Sequence, residues 1–389
     1  MMTSADQPAP KHRFRLTLFG ILLTVFVIVN LGNALHKGGD FRVSIEAGRR
    51  FLTASPLYEG SSAGFGVTGP PFQSVWFSPF AAIAAIHDGL SRVLWYFANI
   101  ACLMGGMWYW THAILPGRFK SAQDLWGSPT VLLPLLAVAL PTQTNFEHQN
   151  MNALLLLLTG AGARAVVRRE DTKAGWFLGL AAALKAFPLL LLAALCVRRA
   201  WRVAAIGSVF AIGLTSLIAV RYGAVGGLAT FEDWLAISVN GGWPTRPQNQ
   251  SLFASLARLW PGDAAIAHTV VWCLLIGVVV AVSWRRRDLA SSTAGSEIAL
   301  VLTIAVVLSP IAWEHYWVLM FPVLQAVYTT GRRFAFWLAA LLITGPSPLL
   351  VGEQGYDIAR YWASSTIAAL LLIGALLPGL IGNVDSEGS

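Results

Sequence analysis

Apolar runs of helix-forming length recur along this chain from Phe14 almost to its C-terminus. Such runs need an apolar surrounding. A helix that crosses a bilayer takes roughly 20 predominantly apolar residues, and its backbone groups are satisfied within the segment. Hydrophobic residues make up 56% of the 389 and charged residues only 12%, against roughly 25% charged in a soluble domain. The length alone would accommodate two or three soluble domains. The recurring runs point instead to one all-α polytopic membrane unit.

Candidate spans fall at Phe14–Val29, Phe72–Leu90, Arg92–Leu115, Val131–Leu140, Ala153–Val167, Ala174–Val197, Val203–Val220, Ala264–Trp284, Ile298–Leu308, Trp317–Tyr328, Phe334–Leu350 and Ser364–Leu380. That predicts roughly 10–12 transmembrane helices within a single domain at 14–381, flanked by a cytoplasmic tail at 1–13 and a polar tail at 382–389. The first helix is expected to stay as an uncleaved anchor. A signal peptide ending near the small residues Gly32 to Ala34 is the competitor.

The net charge of +8 would suggest nucleic acid in a soluble protein. Here the basic residues gather in short clusters between apolar runs: Lys11 to Arg15, Arg168 and Arg169, Arg198 to Arg202, Arg285 to Arg287, Arg332 and Arg333. That is the pattern of cytoplasmic loops facing anionic lipid, so no nucleic-acid partner is expected. With the N-terminal cluster inside, the stretch after the first helix lies outside the cytoplasm. Two long stretches low in lysine, near 35–71 and 221–250, are the expected extracytoplasmic loops. Cys102, Cys196 and Cys273 all lie in apolar runs without metal or disulfide spacing, so they are expected to be small core hydrophobes.

The basic groups at Arg168–Lys173 and Arg198–Arg202 flank the Ala174–Val197 run and would fall on opposite sides of one straight span. Lys185 and Pro188 offer a break. Two short arms then form a hairpin that returns to its starting side, as discontinuous helices do where they line a cavity.

Phosphate loops, zinc-protease motifs and carboxylate clusters are absent from the sequence. What remains is a handful of polar residues at segment ends. Asp40 follows the first helix and precedes "FRVSIEAGRRFL", whose Phe41, Ile45, Phe51 and Leu52 share a helical face. An amphipathic helix on the membrane would hold Asp40 near the headgroups, where it either does chemistry or caps the helix. His315 sits in "WEHYW" beside Glu314, as a site residue or as part of an interfacial aromatic belt. Lys185 is either a snorkelling lysine or an anion site. "PQNQS" (Pro247–Ser251) offers amides that cap a helix or hold hydroxyls.

Five stretches, in order, resemble glycosyltransferase family 87, the polyprenyl-phosphate-mannose-dependent mannosyltransferases. "GGDFRVSIEAGRRFLTASPLY" with "GPPF" matches the family's D-[FL]-x-V-Y-x-x-A-G…L-Y and Y-P-P-F, with Ser44 and Gly69 where tyrosine is common. "EHQNMNALLLLL" is similar to G-Q-x-N-A-L-L-L, with Asn152 on the Asn and Asn150 in place of Gln. "AGWFLGLAAALKAFPLLLL" matches through Lys185 and Pro188. "NQSL" (Asn249–Leu252) matches directly. "LSPIAWEHYW" is similar to L-S-P-x-S-W-x-H-H, with His315 on the first His and Tyr316 replacing the second.

The resemblance implies a GT-C fold in a bacterial inner membrane, the active site facing outside the cytoplasm, and a lipid-linked donor, usually polyprenyl-phosphate-mannose. The acceptor would be a lipid or glycan. It implies Asp40 as catalytic base. Such donors carry a β-linked sugar and family products are α-linked, so inversion needs one general base on the acceptor hydroxyl. Phosphate leaves well, so the second carboxylate of an inverting hydrolase is not required. A cation must offset the leaving phosphate. Lys185 and Arg246 are the candidates, with His315 near the phosphate or acceptor, Glu314 beside it, and Asn152, Asn249 and Gln250 on sugar hydroxyls. No cofactor is expected, and no metal if cationic side chains do this work. The alternatives are a transporter or flippase of polyprenyl-linked sugars, and a non-catalytic membrane scaffold.

Overall fold

A computed structural model describes residues 10–61, 66–240, 243–286 and 294–381. The outer part of the tail expected at 1–13, the tail at 382–389 and Arg287 lie outside the described residues, as do the side chains at 11–15. The described chain is α-helical throughout, apart from a 3-10 helix at Glu314–Met320 and one isolated bridge pairing Asn249 with Trp313.

The helices are α1 (Pro10–His36), α2 (Gly39–Thr53), α3 (Pro71–Ile86), α4 (Asp88–Ile114), α5 (Ala122–Trp126), α6 (Pro129–Ala137), α7 (Ala139–His148), α8 (Asn152–Val167), α9 (Asp171–Leu184), α10 (Leu189–Val197), α11 (Trp201–Ser216), α12 (Ala219–Asn240), α13 (Leu252–Leu259), α14 (Ala264–Arg285), α15 (Ala294–Leu308), α16 (Phe321–Thr329), α17 (Arg333–Thr344), α18 (Pro348–Tyr361) and α19 (Ser364–Ile381). By length and composition, two described helices can cross a bilayer unaided, at Ala265–Arg285 and Ser364–Ile381. Three sharply bent pairs, α7 with α8, α11 with α12 and α17 with α18, bring the number to as many as five if each is a broken span. By this measure the described residues hold fewer single spans than the roughly 10–12 helices expected from hydropathy. Much of the apolar sequence is divided among shorter helices packed on one another.

Two expectations are corrected in detail. Phe72–Leu90 is not one helix but divides at His87 between α3 and the start of α4; α3 runs along α2, with Gln73 Nε2 on Ser44 Oγ at 3.2 Å and Phe77 6.3 Å from Phe41. It then receives Ser91 of α4 at the carbonyl of Phe80. The 221–250 stretch is not a loop, because α12 occupies most of it, bent at Gly223. Val225, Leu228, Leu235 and Val239 recur at helical spacing and are exposed, giving this helix an apolar outer face suited to lipid. The amphipathic helix expected behind Asp40 is α2, with Phe41, Ser44, Ala47 and Gly48 buried.

The break at Lys185 and Pro188 is present between α9 and α10, and the chain reverses there. Around Gly207 of α11, a β-carbon would lie 2.6 Å from Leu192 Cδ2 and 3.2 Å from Gly175 O. Seventeen residues of continuous helix would separate Gly175 from Leu192 by about 25 Å. Their meeting at one residue means that the two arms lie side by side, with Lys185 at the tip.

The far end of α10 meets a buried ionic cluster. Arg198 pairs with Glu297 at the start of α15, both nearly inaccessible. Arg286 donates to the carbonyls of Leu380 and Gly379 at the end of α19. Arg198 and Arg286, expected to face lipid headgroups, are structural instead: Arg198 neutralises a buried carboxylate, and Arg286 saturates carbonyls that the end of α19 would otherwise leave unpaired.

The arm α9 depends on close backbone approach to α11. A β-carbon on Gly179 would sit 2.5 Å from the backbone oxygen of Gly207, which cannot rotate away. Gly179→Val is expected to destabilise the fold by about 1–3 kcal/mol, read as a lower thermal midpoint in detergent. The folded fraction is expected to lose activity, because the arm carrying Lys185 is displaced.

Candidate active site

Asp40 occupies the first turn of α2. The residue before the helix, Gly38, is left-handed (φ 46°) and makes no side-chain cap. Asp40 is therefore not the helix cap, which removes the bland alternative for this residue. Only glycine suits Gly38, since a β-carbon there would also lie 2.5 Å from the Arg92 guanidinium. The Gly38 N–H donates to Glu147 O at 3.1 Å, tying the start of α2 to the end of α7. The carboxylate also benefits from the positive end of the α2 dipole.

Three distant stretches deliver the partners of Asp40. From the α7–α8 turn, Asn150 Nδ2 donates to Asp40 Oδ2 at 3.0 Å. From the 3-10 helix, His315 Nε2 lies 3.3 Å from the same oxygen. That contact is electrostatic, because His315 Nε2 has no aligned hydrogen-bond partner. From the hairpin tip, Lys185 Nζ donates to Asn152 Oδ1 at 3.0 Å and reaches Asn150 Oδ1 at 3.5 Å. The ammonium also sits 3.7 Å from the centroid of the Tyr316 ring, a cation–π contact that keeps it over the cavity. Asn152 Nδ2 donates to His315 O at 3.0 Å, so one asparagine holds both the lysine and the histidine backbone.

Burial pushes the Asp40 carboxyl up, but His315, His148, the Asn150 hydrogen bond and Lys185 together outweigh it and hold it below the usual carboxylate value. Asp40 is thus an ionised, half-buried carboxylate. His148 was not singled out in the sequence. Its ring lies 5.8 Å from that of His315.

Two cavities meet at this carboxylate, and Asp40 and Trp313 are the residues they share. One, of about 800 Å³, is lined by Lys185, Asn150 and Tyr316, then by apolar residues of α10, α14 and α15 such as Leu190, Ala193, Trp272, Ile276 and Leu308. The other, of about 660 Å³, is polar: Lys37, Gln143, Glu147, His148, Gln248, Glu353 and Arg360 line it. Asp40 therefore stands between an apolar cavity with a cation at its polar end and a cavity of hydrogen-bonding side chains.

The other predicted residues serve differently. Glu314 lines the polar cavity but is engaged by Arg360 and the Tyr356 hydroxyl, both from α18. It fastens α18 to the 3-10 helix. Asn249 is fully buried: Nδ2 donates to Pro244 O and Pro310 O, and Oδ1 accepts from Ser251 N and Ala312 N. No polar atom is left for a sugar. Gln250 is buried too, its Nε2 on Pro247 O and Arg360 O. Arg246 is exposed on the turn before them and lines neither cavity. The "NQS" stretch thus joins two backbone segments near the site and does not face it. Among the described residues, no three His, Cys, Asp or Glu side chains group as metal ligands.

Residues 68–310 match the sequence profile of glycosyltransferase family 87, well over half of the chain. The chain belongs to glycosyltransferase family 87. It is a membrane glycosyltransferase, and the transporter and scaffold alternatives fall away. One relative is the polyprenol-phosphate-mannose-dependent alpha-(1-2)-phosphatidylinositol mannoside mannosyltransferase of Mycolicibacterium smegmatis. It is 27% identical over 354 residues, covering 83% of this chain and 78% of the relative. Another is the corresponding phosphatidylinositol pentamannoside mannosyltransferase of Mycobacterium tuberculosis, 26% identical, covering 79% of this chain and 71% of the relative. The crystal structure of ArnT from Cupriavidus metallidurans in the apo state aligns over 94% of this chain and 77% of that one, with 16% identity and a TM-score of 0.37.

The four hydrogen bonds of Asn249 are structural, so Asn249→Ala is expected to lower stability by about 1–3 kcal/mol through buried groups left unpaired. Transfer by the remaining folded enzyme should keep its substrate KM values. A thermal midpoint unchanged alongside a raised KM would return Asn249 to the sugar site.

Proposed function

We propose that this glycosyltransferase moves mannose from polyprenyl-phosphate-mannose to a hydroxyl of an extracytoplasmic lipid or glycan acceptor, with inversion at the sugar's anomeric carbon. The observation that carries this reading is the position of Asp40, at the junction of an apolar cavity with a cation and a polar cavity. A polyprenyl phosphate suits the first: the lipid lies along α10, α14 and α15, and the phosphate approaches Lys185. An acceptor glycan suits the second, where amides and carboxylates can hold its hydroxyls.

Asp40 takes the proton of the acceptor hydroxyl as that oxygen attacks the anomeric carbon. The bond from that carbon to the phosphate oxygen breaks, and polyprenyl phosphate departs with the electron pair. Lys185 offsets the charge that grows on the phosphate. His315 stands beside the carboxylate, where its imidazole favours the ionised form. Lys185 supplies the charge compensation, so the reaction in this reading runs without a metal. Donor and acceptor classes follow the names of the relatives, and a GT-C arrangement follows the family.

The orientation rests on charge. Asp40, Asn150 and the hairpin tip lie at one end of the bundle. Arg198, Arg286 and the turn at Arg168 and Arg169 lie at the other. The positive-inside rule turns the basic end to the cytoplasm of a bacterial inner membrane and Asp40 outward.

Purified protein in liposomes, given radiolabelled polyprenyl-phosphate-mannose and a panel of lipid and glycan acceptors, tests this directly. Asp40→Asn is expected to fold and to lose transfer by at least about a hundredfold; full activity in that variant would sink the assignment. Transfer should persist in excess EDTA. The base acts unprotonated and its pKa is lowered, while burial brings Lys185 down to about 7, so the rate should rise as pH falls through about 7 and the ammonium forms, and drop only in the acid range where Asp40 takes up its proton.

A further inference from the structure

Both oxygens of a carboxylate can act as a base, and the surroundings decide which one does. Asp40 Oδ2 has two neighbours, Asn150 Nδ2 at 3.0 Å and His315 Nε2 at 3.3 Å. No hydrogen bond or ion pair among the described residues engages Oδ1.

The orientation of the Asn150 amide follows from its other contacts. Its Oδ1 accepts from Asn152 N at 3.2 Å and lies 3.5 Å from Lys185 Nζ. Turned over, the amide would set NH2 against an N–H and an ammonium, and its oxygen against a carboxylate. The backbone at this point is also constrained. Gln149, immediately before, is left-handed (φ 52°) without being glycine. It is held there by Trp95 Nε1 on its carbonyl at 2.8 Å and by its own side chain on Arg92 O. Trp95 in turn stacks on Phe41, the neighbour of Asp40, at 6.4 Å. Strain of this kind persists where surrounding contacts enforce it, and it concentrates at functional sites.

We propose that Asn150 is the positioning residue of the reaction: it occupies Oδ2 of Asp40, leaves Oδ1 to take the acceptor's proton, and through its own carbonyl keeps the base in register with Lys185. The inference rests on the assignment of Asp40 as base and Lys185 as phosphate partner. One amide then sets the separation between the atom that receives the proton and the cation that meets the leaving group. Both must act in the same step, so a fixed separation lets the attacking hydroxyl and the phosphate lie on opposite faces of the sugar.

Titratable groups reach Asp40 from each neighbouring segment: His315 from the 3-10 helix, His148 from the end of α7, and Lys185 from the hairpin tip. Asn150 adds the neutral hydrogen bond that favours the ionised form. Removing that bond moves the carboxyl toward higher pH. A second carboxylate in its place moves it further.

The test compares the pH dependence of mannosyl transfer in wild type, Asn150→Asp, Asn150→Ala, Asn150→Gln and Asp40→Asn, each reconstituted in liposomes and checked for folding by thermal unfolding. Asn150→Asp is expected to lose about tenfold to a hundredfold in rate at neutral pH and to regain part of it as pH rises. Its acidic limb should move up by about one unit or more. Asn150→Ala should shift the same way by less and carries the test alone if the aspartate variant fails to fold. Asn150→Gln, which keeps the amide, should recover the wild-type profile in part. Profiles of Asn150→Asp and Asn150→Ala that superimpose on wild type, with Asp40→Asn inactive, would overturn the role of Asn150 and leave the base assignment standing. Activity in Asp40→Asn would overturn both.

Discussion

The site depends on keeping a half-buried carboxylate ionised. An unpartnered carboxyl in such a place takes up a proton and ceases to be a base. Asp40 avoids this because a hydrogen-bond donor, two imidazoles and an ammonium converge on it from three parts of the chain. Each of those groups needs its own support. Asn150 rides on a strained turn locked by Trp95, Lys185 on the tip of a helical hairpin, and His315 on a 3-10 helix tied to Asn152. The arrangement of the bundle reads as the means of bringing these supports together.

The hairpin shows how such placement is achieved in an apolar protein. A lysine in the middle of a straight span would face lipid or force the helix aside. Reversing the chain at Lys185 puts it at the end of two arms, where the backbone is already open and polar neighbours are close. Small residues on α9 and α11 let the first arm lie backbone to backbone against α11. At the opposite end, Arg198, Glu297 and Arg286 neutralise one another and the exposed helix ends. The ionic groups of the protein are thus divided between an end that holds the helices together and an end that does chemistry.

The residues around Asp40 were largely legible in the sequence. Asp40, Lys185, Asn152 and His315 each stand out as polar residues at the edges of apolar runs, and the structure brings them together. The hairpin was legible too, since two basic clusters around one run demand a reversal. Asn249, Gln250 and Arg246 were drawn into the site by motif alone. An amide in a sequence does not reveal whether it will meet a ligand or a backbone carbonyl, and here the carbonyls prevail. Glu314 was noticed for its position in an apolar run, but its partners, Tyr356 and Arg360, come from a helix that hydropathy merges with α17. His148 was not singled out, and Asn150 stood only as a departure from the motif, because their contacts with Asp40 span more than a hundred residues. The nature of α3 and α12 was obscured by composition: an apolar helix packed on its neighbours and one crossing lipid have similar hydropathy. In α12 the helical spacing of Val225, Leu228, Leu235 and Val239 was present but masked by its glycines.

The central claim is that donor and acceptor occupy separate cavities and meet at Asp40. The most direct measurement is an electron cryomicroscopy structure of the protein bound to a non-transferable polyprenyl-phosphonate-mannose. The expected result places the phosphonate within ion-pair distance of Lys185, the lipid along Leu190, Ala193 and Trp272, and the anomeric carbon facing Asp40. A phosphonate seated among Glu147, Glu353 and Arg360, with Lys185 untouched, would contradict it.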